Sequence, residues 1–302
     1  MNRRTFAQAM ATAALGAAVP KLPAAPLAAA QAPASPVSYQ LSVMLWTVFR
    51  DMPFEQRLSK VAEAGYTNVE LVGEYRDWKP EDFTRANEAR KRLGIHFDAT
   101  AGLRHGVADP SAHDALVAEF SDALKPMETL ECPAMIVLSG NVIPGVSREA
   151  QHASCVESLK KMAAVIEGKQ IAGQPIKLLL ECIDPEENPK YFLTSAAEGM
   201  EVVRQVNHPQ VRFLYDMFHE QIGHGNLIEK LEKNIDVVDL IHVADVPGRH
   251  EPGTGEINYG NIFRKLAELK YKGMVAMEFM PIGDEVAKLQ AAKALVGSST
   301  AA

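Results

Sequence analysis

The sequence predicts a single-domain α/β protein, a closed (β/α)8 barrel of the TIM type, and three observations carry that expectation. Short apolar and β-branched runs alternate with segments of helical periodicity along the chain. Strands separated by helices return to the same end of a sheet and so pair in parallel. Eight such units fit the usual barrel length of about 250 residues. The competing architecture, a doubly wound open sheet, carries a glycine-rich phosphate turn after its first strand. Here the first run is followed by Thr47-Val48-Phe49-Arg50-Asp51, with no glycine.

Taken in order, the strand-like runs fall at 39–49, 68–72, 96–101, 134–139, 177–183, 211–219, 240–246 and 274–280. The first alternates around Ser42-Val43-Met44, and the second centres on Val69-Glu70-Leu71. The fourth and fifth, Met135-Ile136-Val137-Leu138 and Leu178-Leu179-Leu180, are continuous apolar runs of the kind that parallel strands covered on both faces require. Helical periodicity occupies 54–64, 80–93, 112–125, 148–168, 196–206 and 259–269. Neither a second domain nor an internal repeat beyond the βα unit is visible.

Composition narrows the class of function. Of 302 residues, 47% are hydrophobic and 23% charged, which excludes a disordered chain, a collagen-like repeat and a small disulfide scaffold. Net charge is −7; without the first 32 residues, which hold three cations and no acid, 28 basic side chains face 38 acidic ones. So acidic a surface repels phosphate backbones, and no nucleic-acid partner is expected. Cys132, Cys155 and Cys182 are odd in number and lack metal-binding spacing, so they read as small buried residues.

The chain opens with Arg3-Arg4-Thr5-Phe6, an apolar Ala-rich stretch from about Ala9 to Val19, and a Pro/Ala tract through Pro36. With the small residues Ala28-Ala29-Ala30-Gln31-Ala32, this pattern fits an export signal and resembles a twin-arginine leader. The apolar stretch is far shorter than the ~20 residues a bilayer span needs. The expectation is a signal and linker over 1–36, a barrel over 37–302, passage through the twin-arginine export machinery, and a periplasmic or otherwise exported location.

What ends the last four strand runs points to chemistry. They read Leu180-Glu181, Tyr215-Asp216, Ile241-His242 and Met277-Glu278. Alone, any one of these could be a polar residue capped by a loop amide or paired with a cation. Four at matching positions of consecutive strands converge on one mouth of a barrel. Unpaired carboxylates there would cost several kcal/mol and repel one another. A bound divalent cation removes both problems. Three carboxylates and one imidazole favour Mn²⁺, Mg²⁺ or Co²⁺, and Zn²⁺ is compatible.

The segment His242-Val243-Ala244-Asp245-Val246-Pro247-Gly248-Arg249-His250-Glu251-Pro252-Gly253-Thr254-Gly255-Glu256-Ile257-Asn258-Tyr259 closely resembles the corresponding run of hydroxypyruvate isomerases. These belong to the xylose isomerase-like barrel superfamily, with ketose 3-epimerases and endonuclease IV. The likeness covers roughly residues 41–281. It implies a metal held by Glu181, Asp216, His242 and Glu278, with Glu181 and Glu278 also as acid/base groups. The epimerases have a substrate-contacting His three residues past the Asp and a substrate-contacting Glu six residues past the strand-five Glu, which implies that role for His219 and Glu187; the alternatives are a polar loop histidine or a partner behind a ligand for His219, and an exposed loop for Glu187. Hydroxypyruvate isomerases often have Gln at the position of His242, whereas the epimerases have His. Arg249, in the loop after the seventh strand, could fork onto a substrate carboxylate; the bland alternative is a surface ion pair with Glu251 or Glu256. Glu70 faces either the barrel mouth or a structural ion pair, and Trp46 either a substrate wall or the core. His96 and His105 make no metal motif.

The resemblance therefore implies a metal-dependent isomerase acting on a small hydroxy-carbonyl or sugar substrate, such as the hydroxypyruvate–tartronate semialdehyde pair, through an enediolate. The rivals are an exported epimerase or dehydratase of keto-sugars or cyclitols, and a non-catalytic sugar-binding protein, which would not need both glutamates. A homo-oligomer is a family-level expectation.

Overall fold

A computed structural model of the chain describes residues 37–300. The export signal and linker assigned to 1–36 lie outside the described residues. Eight parallel strands form a closed barrel: β1 (Gln40–Met44), β2 (Asn68–Leu71), β3 (His96–Thr100), β4 (Ala134–Leu138), β5 (Lys177–Glu181), β6 (Val211–Asp216), β7 (Val238–Val243) and β8 (Met274–Met277). Each pairs with its neighbours in sequence. The register Gln40↔Met274 to Val43↔Met277 joins the last strand to the first.

Side chains alternate across each strand. One set, including Met44, Ile136, Leu179, Leu214, Leu240 and Ala276, fills the barrel interior. The other set, including Val43, Val69, Leu178, Leu180 and Ile241, packs outward beneath the helices. Filled this way, the barrel is a core and its function is confined to its ends.

The surrounding helices are α1 (Phe54–Glu63), α2 (Pro80–Leu93), α3 (His113–Leu130), α4 (Arg148–Ile166), α5 (Ala196–Val206), α6 (Met217–Gly223), α7 (Leu227–Asn234), α8 (Tyr259–Glu268) and α9 (Glu285–Ser299). The bounds of α2 and α5 coincide with the periodic segments. In α2 the Lys79 N–H donates to Asp82 Oδ2 at 2.7 Å, and Gly94 ends the helix at φ 66°.

Elsewhere local signals mislead. Helix α3 runs through Pro126 to Leu130, where the sequence pattern stopped at the proline. The run at 211–219 is not all strand. It breaks after Asp216, whose carboxylate accepts from the Phe218 and His219 N–H groups and starts α6. The buried Met217 and Phe218 resemble a strand continuation because a short apolar run does not distinguish strand from buried helix. Helices α7 and α9 carried no assignment. Helix α9 buries Leu289, Ala292 and Val296 and packs against α1 and α8, completing the ring. The first strand is also shorter than its apolar run, because Leu45–Thr47 is a 3₁₀ turn that holds Trp46 at the barrel mouth.

Cys132, Cys155 and Cys182 are buried and unpaired. No helix among the described residues is long and apolar enough to cross a membrane.

Candidate metal centre and active site

Glu181 and Asp216 are the last residues of β5 and β6, His242 is next to last in β7, and Glu278 follows β8 directly. Cross-strand pairing puts Asp216 opposite His242 and His242 opposite Ala276, two residues before Glu278. The side chains therefore share the inner face. All four are buried, and one donor atom from each lies within 4.8 Å of every other. His242 Nδ1 is 2.6 Å from Glu278 Oε2, 3.6 Å from Glu181 Oε1 and 3.9 Å from Asp216 Oδ2.

Two features show that this cluster suits a cation. The other imidazole nitrogen, Nε2, lies 2.9 Å from Glu70 Oε2. An ionised Glu70 only accepts, so Nε2 carries a hydrogen, and Nδ1, turned toward the carboxylates, is the atom at which a bound cation would replace a proton. In addition, His242 Nδ1 and Glu278 Oε2 are fully buried without a well-directed hydrogen bond, Oε2 having only its ion pairs to Arg249 and His242. Leaving such atoms unsatisfied costs about 1–3 kcal/mol each. A divalent ion among three carboxylate oxygens and one nitrogen satisfies both, and the donor set matches Mn²⁺, Mg²⁺, Co²⁺ or Zn²⁺.

The two glutamates differ in what holds them. Burial pushes the Glu181 carboxyl up, and His242 only partly offsets that. Burial also pushes Glu278 up, but the charges of Arg249 and His242 outweigh it and hold that carboxyl well below the usual range. Glu278 Oε1 further accepts from Trp46 Nε1 at 2.9 Å, which places Trp46 in the wall of the site.

Arg249 forms no ion pair with Glu251 or Glu256. Glu251 pairs with Lys288 at 2.6 Å, and Glu256 accepts from Gln221. The guanidinium is buried, with NH2 2.8 Å from Glu278 Oε2 and 3.4 Å from Asp216 Oδ2. Its NH1 lies 3.2 Å from the half-exposed Glu187, and the group stacks 4.8 Å from the Phe218 ring centre. Only the folded loop turns Arg249 inward. Asp245 shapes that loop by accepting from the N–H groups of Val246, Gly253, Gly255 and Ile257. Arg249 itself sits at φ 56°, a left-handed conformation that a non-glycine residue adopts only where its surroundings enforce it. The Met280 N–H, which donates to the Arg249 carbonyl at 2.7 Å, is part of that enforcement.

His219 is on α6, not on a strand end, yet it still faces the cluster. Its Nδ1 is 2.6 Å from Asp184 Oδ2, and its Nε2 is 3.2 Å from Arg249 NH1 and 3.4 Å from Asp216 Oδ2. Asp184 was not singled out by sequence. It lies three residues past Glu181, fully buried, and accepts from the Glu186 and Glu187 N–H groups. Its one legible trace was an aspartate opening the loop after a ligand-bearing strand.

Burial would lower the His219 pKa, but the Asp216 charge and the Asp184 hydrogen bond outweigh it and raise it from 6.5 to about 9. A group with a raised folded-state pKa stabilises fully below its unfolded value. That contribution is lost as pH rises through the folded value. In chelator, the wild type should therefore exceed His219→Gln in unfolding free energy by of order 3 kcal/mol more at pH 6 than at pH 10. Denaturant titrations at the two pH values check this; a pH-independent difference contradicts it.

Among the remaining residues, His105 pairs with Glu119 at 2.8 Å and His96 lines the opposite, N-terminal mouth of the barrel. Neither meets the cluster. A separate cavity of about 800 Å³ between α2 and α3, walled by Trp78, Phe83, Leu103 and Pro126, contains none of the four residues either.

Comparisons with known proteins agree with this geometry. A family model described as xylose isomerase-like TIM barrel matches residues 58–295. A putative hydroxypyruvate isomerase of Danio rerio is 31% identical over 258 residues, 80% of this chain and 90% of its own. A 2-oxo-tetronate isomerase of Pectobacterium atrosepticum is 29% identical over 240 residues, 78% and 90% of the two chains. Among solved structures, a protein described as an AP endonuclease of family 2 from Brucella melitensis superposes with a TM-score of 0.75 at 27% identity, covering 83% of this chain and 96% of that one.

Proposed function

The chain belongs to the xylose isomerase-like TIM barrel family and is related to hydroxypyruvate and 2-oxo-tetronate isomerases, and from that premise we propose that it is a metal-dependent isomerase of a small hydroxy-carbonyl acid. The hydroxypyruvate–tartronate semialdehyde pair is the reference substrate. The observation that carries this reading is the convergence of Glu181, Asp216, His242 and Glu278 within 4.8 Å, beside a buried arginine.

A divalent ion held by these four residues supplies positive charge where negative charge builds on the substrate oxygens. The protein's own groups move the protons. Glu278, kept ionised by Arg249, takes the proton from C3 of hydroxypyruvate. Glu181 delivers a proton to C2, and one hydroxyl proton passes from O3 to O2. The substrate carboxylate takes the place of the half-exposed Glu187 on Arg249 NH1. His219, oriented by Asp184, faces a substrate oxygen with Nε2.

His242 favours a second reading, an epimerase of keto-sugars, because the epimerases of the superfamily carry an imidazole at this position, where hydroxypyruvate isomerases often have Gln. Proton exchange in deuterated water, followed by NMR with hydroxypyruvate, 2-oxo-tetronate, ketohexoses and 3-keto-sugars, separates the two. Deuterium at the carbon next to the carboxylate-bearing carbonyl supports the isomerase, and exchange only in ketohexoses or keto-sugars supports the epimerase. Export through the twin-arginine route is part of the proposal. A reporter fused to residues 1–36 tests it: export that survives Arg3→Lys/Arg4→Lys contradicts that route.

A further inference from the structure

Glu70 stands behind His242, on the side away from the three carboxylates. It is fully buried, and among the described residues no lysine or arginine pairs with it; its ion-pair partner is His242. Its second oxygen, Oε1, has no hydrogen-bond partner. Its partners on the flanking strands, Met44 and Ala99, are apolar, and apart from His242 the charged groups that face it are the carboxylates of Asp98, Glu181 and Glu278. A carboxylate in that setting, without a cationic side chain, costs several kcal/mol. A leucine would fill the space at lower cost, so packing does not account for Glu70. The group it serves is the imidazole.

We propose that Glu70 is a positioning residue that makes His242 coordinate through Nδ1, fixing the ring and raising its donor strength toward the bound ion. The inference rests on the metal reading above and goes beyond it, because it assigns the strength and the ligand atom of the centre to a residue that touches neither ion nor substrate. Three effects combine. An acceptor-only partner at 2.9 Å forces the hydrogen onto Nε2. The same bond sets the ring rotation. The carboxylate's charge, transmitted through the ring, makes Nδ1 a better donor. Glutamine would keep the shape but not the instruction, since an amide can accept from Nε2 or donate to it.

The test uses the full chain as wild type, Glu70→Gln and Glu70→Asp. Zn²⁺ affinity is measured by competition with a chromophoric chelator, and the visible spectrum of the Co²⁺-loaded protein reports ligand field strength. In Glu70→Gln, Zn²⁺ affinity should fall about 10–100-fold and the Co²⁺ bands should shift, with circular dichroism unchanged. Glu70→Asp should recover part of the affinity. Unchanged affinity and an unchanged Co²⁺ spectrum in Glu70→Gln would overturn the role of Glu70 while leaving the metal centre standing. Failure of the wild type to bind either ion would overturn both. If Glu70→Gln does not fold, ¹⁵N-histidine NMR of the Zn²⁺-loaded wild type decides: a hydrogen on Nε2 and zinc on Nδ1 support the assignment, and the reverse overturns it.

Discussion

Glu278→Gln is expected to lower kcat by about 10²–10⁴-fold and to abolish solvent deuterium incorporation into product, while the barrel stays folded. The amide fits the same space and can still accept from Trp46 Nε1 through its oxygen. It cannot take a proton from carbon. Arg249 NH2, 2.8 Å from Oε2, and the His242 imidazole, 2.6 Å away, hold the Glu278 carboxyl well below the usual range. A base held ionised in this way is ready at neutral pH. Glu181→Gln should also impair turnover, but with a different signature: proton abstraction persists, so substrate exchanges with deuterated water faster than product forms. Wild-type deuterium incorporation by Glu278→Gln contradicts the role given to that carboxylate.

Arg249→Met is expected to act on both stability and binding. The guanidinium offsets Glu278, Asp216 and Glu187 in a buried setting. Removing one partner of a buried ion pair typically costs about 3–5 kcal/mol, because the other charge is left uncompensated. That loss should appear in denaturant unfolding of the chelator-treated protein and shrink on adding Mn²⁺, which supplies charge to the same carboxylates. Loss of a charged hydrogen bond to substrate, about 1.5–3 kcal/mol, should raise KM for a carboxylate substrate about 10–100-fold. Arg249→Lys should recover little of this, since a point charge does not replace a planar fork. Equal effects on substrates with and without a carboxylate would contradict the assignment of Arg249 to that group.

How much of this was legible depended on whether a signal was local. The convergence of Glu181, Asp216, His242 and Glu278 was, because each of the last four strand runs ends on a carboxylate or imidazole and strand periodicity turns them to one face. Helix α2 was legible because its helical periodicity covers the same residues, 80–93. The partners of those ligands were not. Glu70 and His242 lie 172 residues apart and meet only when β2 and β7 share a closed barrel. Arg249 turns inward only after Asp245 has gathered four loop N–H groups. Helix α6 was hidden because Asp216 serves at once as strand end, helix cap and metal-facing carboxylate, and the apolar residues after it fit either structure.

The reading of the whole site stands on four buried side chains sharing one ion. Metal content of the purified, full-length protein, measured by mass spectrometry beside Asp216→Ala/His242→Ala, tests this most directly. The account predicts about one divalent ion per wild-type chain and essentially none in the double variant. A wild type that holds no divalent ion after equilibration with Mn²⁺, Co²⁺ or Zn²⁺, or a double variant that retains one, would contradict it.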